Sequence, residues 1–293
     1  MTGLVEGVKN AIVGTIKGTG EIVDAISQTV SGSLTTALKG TGSVGKALTG
    51  AVTDVASGAI QGVSQVGGDL GKAAKGTVIG VVRGASDAGG EVIEAVGSAA
   101  KNLVKTTSDV GGDVGGAARN AMEGTIEGAK SVGVKGADAV AAAAAGAIQG
   151  VGGVGQAVTG TTTDVARGLI QGASNMGGDL AAAARGTVLG VLRTTKDITV
   201  QSTDTIGATA GTVVRAAADV GGDVATTAKA AVEGAIQGAK EMGLDAAEAA
   251  SAAATGALRA AGDIGSTAVA QVQRAATGII SGVKVVVKEP FKA

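Results

Sequence analysis

Apolar and polar positions recur every eleven residues from Gly3 to about Lys288, without an insertion or a deletion. The repeat can be numbered from Gly3 and advanced by about 98° per residue, as eleven residues in three turns require. Positions 9, 2, 6, 10 and 3 then form one arc, filled with Ala, Val, Ile, Leu, Gly and Thr. Positions 7, 11, 4 and 8 form the opposite arc and hold most of the charge. Positions 1 and 5 close one border with small residues. The alternation that a strand needs is missing throughout. The pattern predicts amphipathic helix over residues 1–288, followed by a short tail, 289–293, outside the repeat.

A stronger signal repeats every second eleven. Gly-x-x-x-Gly blocks start at Gly14, Gly58, Gly80, Gly124, Gly146, Gly168, Gly234 and Gly278, all separated by multiples of 22. A longer duplication is superimposed on them: TDVASGAIQGVSQVGGDL from Thr53 returns as TDVARGLIQGASNMGGDL from Thr163. Fixed self-similarity of this kind sets architecture before any local motif does.

The expected fold is all-α, built from very long 11/3 helices, nearly straight or slightly right-handed, packed side by side in a helical assembly. A single helix over the whole repeat would be roughly 430 Å long. Gly-Gly doublets precede an acid at Gly67-Gly68-Asp69, Gly89-Gly90-Glu91, Gly111-Gly112-Asp113, Gly177-Gly178-Asp179 and Gly221-Gly222-Asp223. Glycine can end a helix and Asp can N-cap the next, so these doublets are also readable as hairpin turns. The equivalent places Gly133-Val134-Lys135 and Thr199-Val200-Gln201 look like poor turns, and the phase survives across all of them. The sequence therefore favours continuous helix, with the doublets as bendable points.

The glycines demand close packing. A helical Gly costs up to about 1 kcal/mol relative to Ala, so 53 of them would cost on the order of 40–50 kcal/mol. Small residues four apart make a flat groove in which another helix backbone can approach and recover that energy. The expected contact residues are Gly14, Gly18, Gly58, Gly62, Gly80, Gly84, Gly124, Gly128, Gly146, Gly150, Gly168, Gly172, Gly234, Gly238, Gly278 and Gly282.

The charged arc is sorted. Position 7 is basic, with Lys75, Arg119, Lys130, Arg185, Lys196, Lys229 and Lys240 among its members. The other edge is mainly acidic and includes Asp69, Asp113, Asp179 and Asp223. One reading is a solvated face with pairs four apart, such as Lys105–Asp109 and Arg215–Asp219, each worth a few tenths of a kcal/mol. The other is lateral register, a positive edge of one helix meeting the negative edge of the next.

Composition narrows the function. The chain has 293 residues, one Phe, no Trp or Tyr, and neither His nor Cys. Thiolate metal sites and disulfides are excluded, and the commonest general base is missing. With 24 basic and 25 acidic residues there is no cationic excess for nucleic acid. Gly40 to Lys46 and Gly150 to Gly155 match Gly-rich nucleotide fingerprints, but no strand precedes them. Asp109 and Asp113, one turn apart, offer too few converging oxygens for a hard cation. No enzyme activity, cofactor, metal or small-molecule substrate is expected. No signal peptide or membrane span is read from the sequence, which points to the cytoplasm.

Segments such as TGAVTDVASGAIQGV from Thr49 and GGAARNAMEGTIEGAKSVG from Gly111 resemble the eleven-residue repeats of α-synuclein and the perilipins, and the exchangeable apolipoproteins have a related spacing. That resemblance implies 11/3 helices on a lipid surface. The chain departs from those families in its sorted flanks, neutral balance and heavier Gly content. Three functional expectations follow. The first is a structural protein that assembles with copies of itself into a filament, tube, sheet or bundle. The second is a peripheral coat on a lipid surface, and the third is a desiccation or stress-protection protein.

Overall fold

The computed structural model describes residues 2–16, 22–39, 44–152, 158–195 and 202–287. These residues form thirteen helices and one hairpin. The helices are α1 (Thr2–Ile16), α2 (Ile22–Lys39), α3 (Val44–Gln65), α4 (Leu70–Asp87), α5 (Val92–Asp109), α6 (Val114–Val132) and α7 (Gly136–Gly152). They continue with α8 (Val158–Asn175), α9 (Leu180–Thr195), α10 (Ser202–Asp219), α11 (Val224–Met242), α12 (Ala246–Ile264) and α13 (Ser266–Ala276). Strands β1 (Gly278–Ile280) and β2 (Val283–Val285) pair antiparallel after α13.

The expectation of very long helices is overturned: the longest has 22 residues. The doublets are the turns. At the end of α5, Gly111 adopts φ 72°, and the Gly112 N–H donates to Thr107 O at 2.8 Å. This is the bond from C″ back to C3 that closes a helix through a left-handed residue. Asp113 then accepts from the Gly116 N–H at 2.9 Å and starts α6. Equivalent bonds close the helices before Gly68, Gly90, Gly178 and Gly222. Gly133-Val134-Lys135, which reads as a poor turn, is one as well. Gly133 has φ 72° and Val134 N–H donates to Ala129 O at 3.1 Å, so only the first glycine of a doublet is required for reversal. Thr199-Val200-Gln201 lies outside the described residues. The phase survives because helix plus turn together span two elevens, so each reversal returns the pattern to its starting point.

Consecutive helices run antiparallel across these short turns. Packing follows a strict rule, with every substantial contact between neighbours in sequence or between helices two apart. The odd-numbered helices α1 to α13 therefore form one layer and the even-numbered helices α2 to α12 the other. Within a layer the helices are parallel, and β2 lies against α12 at the end of the even layer. The arrangement is an α-helical stack in which each added helix sees only its near neighbours.

The layers meet over a thin, continuous apolar core. Its fully buried large side chains include Ile12, Ile26, Leu34, Leu48, Ile60, Leu103, Met122, Ile148, Ile170 and Leu192. A helix inside a layer is covered on three sides, so its polar strip is narrow. In α4 the exposed positions are Lys72, Arg83, Ser86 and Asp87. No helix among the described residues is long and apolar enough to cross a membrane.

Two measurements check the turn chemistry. Nothing lies within 4 Å of where a Cβ on Gly111 would stand, so Gly111→Ala meets no clash and loses only the left-handed backbone. It is expected to cost about 1–2 kcal/mol in urea unfolding. Asp223→Ala is expected to cost about 1 kcal/mol through the lost N-cap. The Asp223 carboxyl is held below the usual carboxylate range by the Thr226 hydroxyl first, and then by backbone N–H groups. Its contribution is therefore present above the ordinary Asp pKa and fades as pH falls through the lowered one, so the mutant and parent unfolding curves should converge in acid.

Candidate functional site

The repeated unit of recognition is a glycine seated on a carbonyl. A Cβ placed on Gly124 of α6 would stand 2.5 Å from Lys75 O of α4, so only the glycine hydrogen fits there. The same α6 strip sends Glu127 to the Lys75 ammonium at 3.0 Å. Lys75 is therefore held twice by one neighbour, through its backbone oxygen and through its charge. The carbonyl is short of donors on its outward side, and a Cα–H contact there adds to the dispersion gained by close approach.

The same seat recurs between helices two apart along both layers. Gly58 stands over Val5 O and Gly62 over Lys9 O, at 2.7 and 3.0 Å for an added Cβ. Gly80 and Gly84 stand over Ser27 O and Ser31 O at 2.6 and 3.0 Å. Gly146, Gly150, Gly168 and Gly172 meet Gly97, Lys101, Gly115 and Arg119 in the same way, and Gly234 meets Arg185. Gly128 and Gly238 instead receive Val82 and Leu192 side chains at 3.0 and 2.8 Å. Each glycine of these blocks therefore faces another helix of the same chain.

Four glycines of the expected set do otherwise. Gly14 has nothing within 4 Å, and Gly18 lies outside the described residues. Gly278 and Gly282 are not helical at all. Gly278 opens β1 at φ 93° and Gly282 lies in the hairpin turn at φ 78°, so both lose the helix-contact role assigned to them. Sequence reading also missed Gly76 over Val23 O at 2.6 Å, and Gly186 against Ala141. Both occupy position 8, which the period assigns to the charged arc. A glycine standing where its homologous positions carry acid was the available signal.

The charged flanks divide into two groups. The acids Asp69, Asp113, Asp179 and Asp223 are N-caps, each accepting from a backbone N–H two or three residues on, and none forms an ion pair among the described residues. Their assignment as a lateral flank is corrected accordingly. The cations are mixed. Lys75 crosses to Glu127, and Lys130 donates to Met176 O at 3.4 Å, in the turn after α8. Lys240 donates to Ser281 O at 3.4 Å, and Lys229 lies 4.0 Å from Glu233 of its own helix. Arg119 and Arg185 supply receiving carbonyls, while Lys196 lies outside the described residues. Lateral pairs also form where pairs along one helix were the simpler reading. Arg215 bonds Asp263, and Arg193 bonds Glu241 at 2.9 Å. Lys105–Asp109, at 2.9 Å, is a pair along a helix.

Shallow grooves open where two small residues meet within a layer. One of about 520 Å³ lies between α10 and α12, with Asp204, Glu248, Arg215 and Arg259 around Gly207, Gly211 and Gly256. Two more, of about 460 and 530 Å³, flank the alanine surface of α7 and share Ile93, Ala142, Ala145 and Arg193. Their first-turn acids Asp138, Asp204 and Glu248 complement the helix dipoles, as does Arg193 in the last turn of α9. Among the described residues no three potential metal ligands converge. Of the Gly-rich fingerprints, 40–43 and 153–155 lie outside the described residues, and Gly150 is occupied by its seat on Lys101. No family model matches the chain, and no curated protein is significantly similar to it.

The seat makes an inverted mutational pattern. An unhindered helical Gly→Ala normally gains about 0.5–1 kcal/mol. Gly124→Ala should instead lose about 1–3 kcal/mol through forced overpacking. Gly7→Ala in α1, with open space around it, should show the ordinary gain in thermal or urea unfolding.

Proposed function

We propose that this chain is a non-enzymatic structural protein that works by assembling with further copies of itself. One observation carries the reading. The glycine face that seats each later helix on its predecessor is present on α1 as well, at Gly3, Gly7 and Gly14. Among the described residues nothing lies within 4 Å of it. Among the described residues, a stack built from one repeated interface thus leaves that interface open at α1. Uncovered terminal repeats are the natural site of further association in such stacks.

The sequence alone suggested that each helix needs another copy as its partner surface. In the folded chain most of that surface is supplied internally, which moves self-association from the full length of the helices to the ends of the stack. The Ala/Val arc that a lipid coat would use lies within the core between the layers. Coating a membrane would require the stack to open.

Purified full-length protein, free of lipid and detergent, is expected to be helical by circular dichroism. Its mass by light scattering should rise with concentration above 27.4 kDa, and negative-stain images should show regular particles. A chain that stays at monomer mass throughout the micromolar range, or one that becomes helical only on vesicles, would sink the reading.

A further inference from the structure

We infer that copies add head to tail, the α1–α2 face of one seated on the α13–hairpin face of the next. This rests on the self-assembly reading and names its two surfaces.

Continuity of the internal interface specifies the fit. Among the described residues the odd layer runs to α13 and the even one to the hairpin, so an incoming α1 and α2 extend both at once. Internal seats take three registers one helical turn apart, as in Gly58 over Val5 O, Gly124 over Lys75 O and Gly190 over Ala145 O, and the α1–α3 register is the one carried over. Gly58 of α3 sits over the Val5 carbonyl of α1. Val269 of α13 is the counterpart of Val5, twelve 22-residue repeats further on, and Gly14 is the counterpart of Gly58. An added copy in the same register brings its Gly14 over the Val269 carbonyl. Exposed Gly3, Gly7 and Ala11 continue the same small face along α1, and Gly32 is open on α2.

The receiving end has the complementary character. Ile279 is 82% exposed and Val286 54%, both on or beside the hairpin that the incoming α2 would cover. The Lys240 ammonium holds the turn at Ser281 O, and Val286 N–H donates to Ser251 Oγ, so these apolar side chains stand on an anchored platform. Charge does not set this polarity: Arg274 and Lys284 are exposed at the α13–hairpin end, but at the α1–α2 end Glu6 is paired with Lys9 at 2.9 Å and exposed Lys39 offsets Asp24. Two helices of 15 and 18 residues present on the order of 500 Å² each way, near the lower bound of a specific interface. A head-to-tail contact between unlike surfaces does not close on itself after two copies, so it produces a filament or a large ring.

Two full-length variants test the pairing by sedimentation velocity. Gly7→Leu with Gly14→Leu blocks the first face in a region with room for the side chains, so circular dichroism and the thermal midpoint should match or exceed the parent. Ile279→Asp blocks the second face. Each variant alone is expected to lose at least tenfold in association. An equimolar mixture should form a one-to-one pair and nothing larger, because each variant keeps a single working face and the pair uses both. If Gly14→Leu frays the last turn of α1, Gly7→Leu alone carries the same expectation. Parent-like dimers from Ile279→Asp alone would overturn head-to-tail packing in favour of two α1–α2 faces meeting. Parent-like assembly of both variants would place the contact elsewhere while leaving self-assembly intact. A parent chain that is monomeric throughout overturns both.

Discussion

A backbone carbonyl occupying the space of a missing Cβ sets the distance between helices in this protein, and the rest of the fold adapts to that distance. Where Gly124 rests on Lys75 O or Gly80 on Ser27 O, no side chain separates the two helices. Large apolar residues enter the contacts within a layer only where a glycine makes room, as Val82 does at Gly128 and Leu192 at Gly238. Others, such as Ile60, Leu103 and Ile148, are fully buried in the core. The chain thus combines two kinds of packing: glycine against backbone or side chain within a layer, and aliphatic side chains in the core between layers. Neither requires an aromatic residue.

That division also explains how a glycine-rich chain keeps ordered helices. The intrinsic penalty of helical Gly is real. Each seated glycine admits a neighbour close enough for dispersion along several turns and for contacts from Cα–H to oxygen. Charge is arranged around the same approach. Lys75 is gripped at its carbonyl by Gly124 and at its ammonium by Glu127, and Arg193 and Arg215 likewise reach helices two further on. These pairs are partly solvated, so they contribute more to register than to stability.

The period made the helix type and the contact glycines legible, because both depend on angular position within eleven residues. The length of the helices was not legible from the period. A turn of constant length placed at every second eleven preserves phase as faithfully as an unbroken helix does. The deciding information was local instead: a left-handed glycine such as Gly111 followed by a capping Asp113. The second glycine of each doublet misleads, because it serves packing more than reversal. A Cβ on Gly112 would stand 2.6 Å from Leu70 Cδ1, whereas Val134 follows Gly133 in a turn without that requirement. Phase failed outright at Gly278, where Ile279, Ile280 and the run from Val283 to Val287 favour an extended chain.

Stacks of this kind derive their stability from intrinsic helix terms plus interfaces with near neighbours. Here the intrinsic term is poor by composition, so the balance rests on interfaces to an unusual degree. An interior helix such as α6 is covered by α4 on one side and α8 on the other, and its glycines are seated. Helix α1 has α3 on one side only, and the glycines of its other side carry the penalty without the compensating contact. The opposite end differs: a short helix and a hairpin cover α11 and α12, and the residues left exposed there, Ile279 and Val286, are large and apolar. The uncompensated surfaces at the two ends are therefore unlike, one a shallow groove and the other a set of projections. On the proposed head-to-tail contact, the groove of one copy receives the projections of the next.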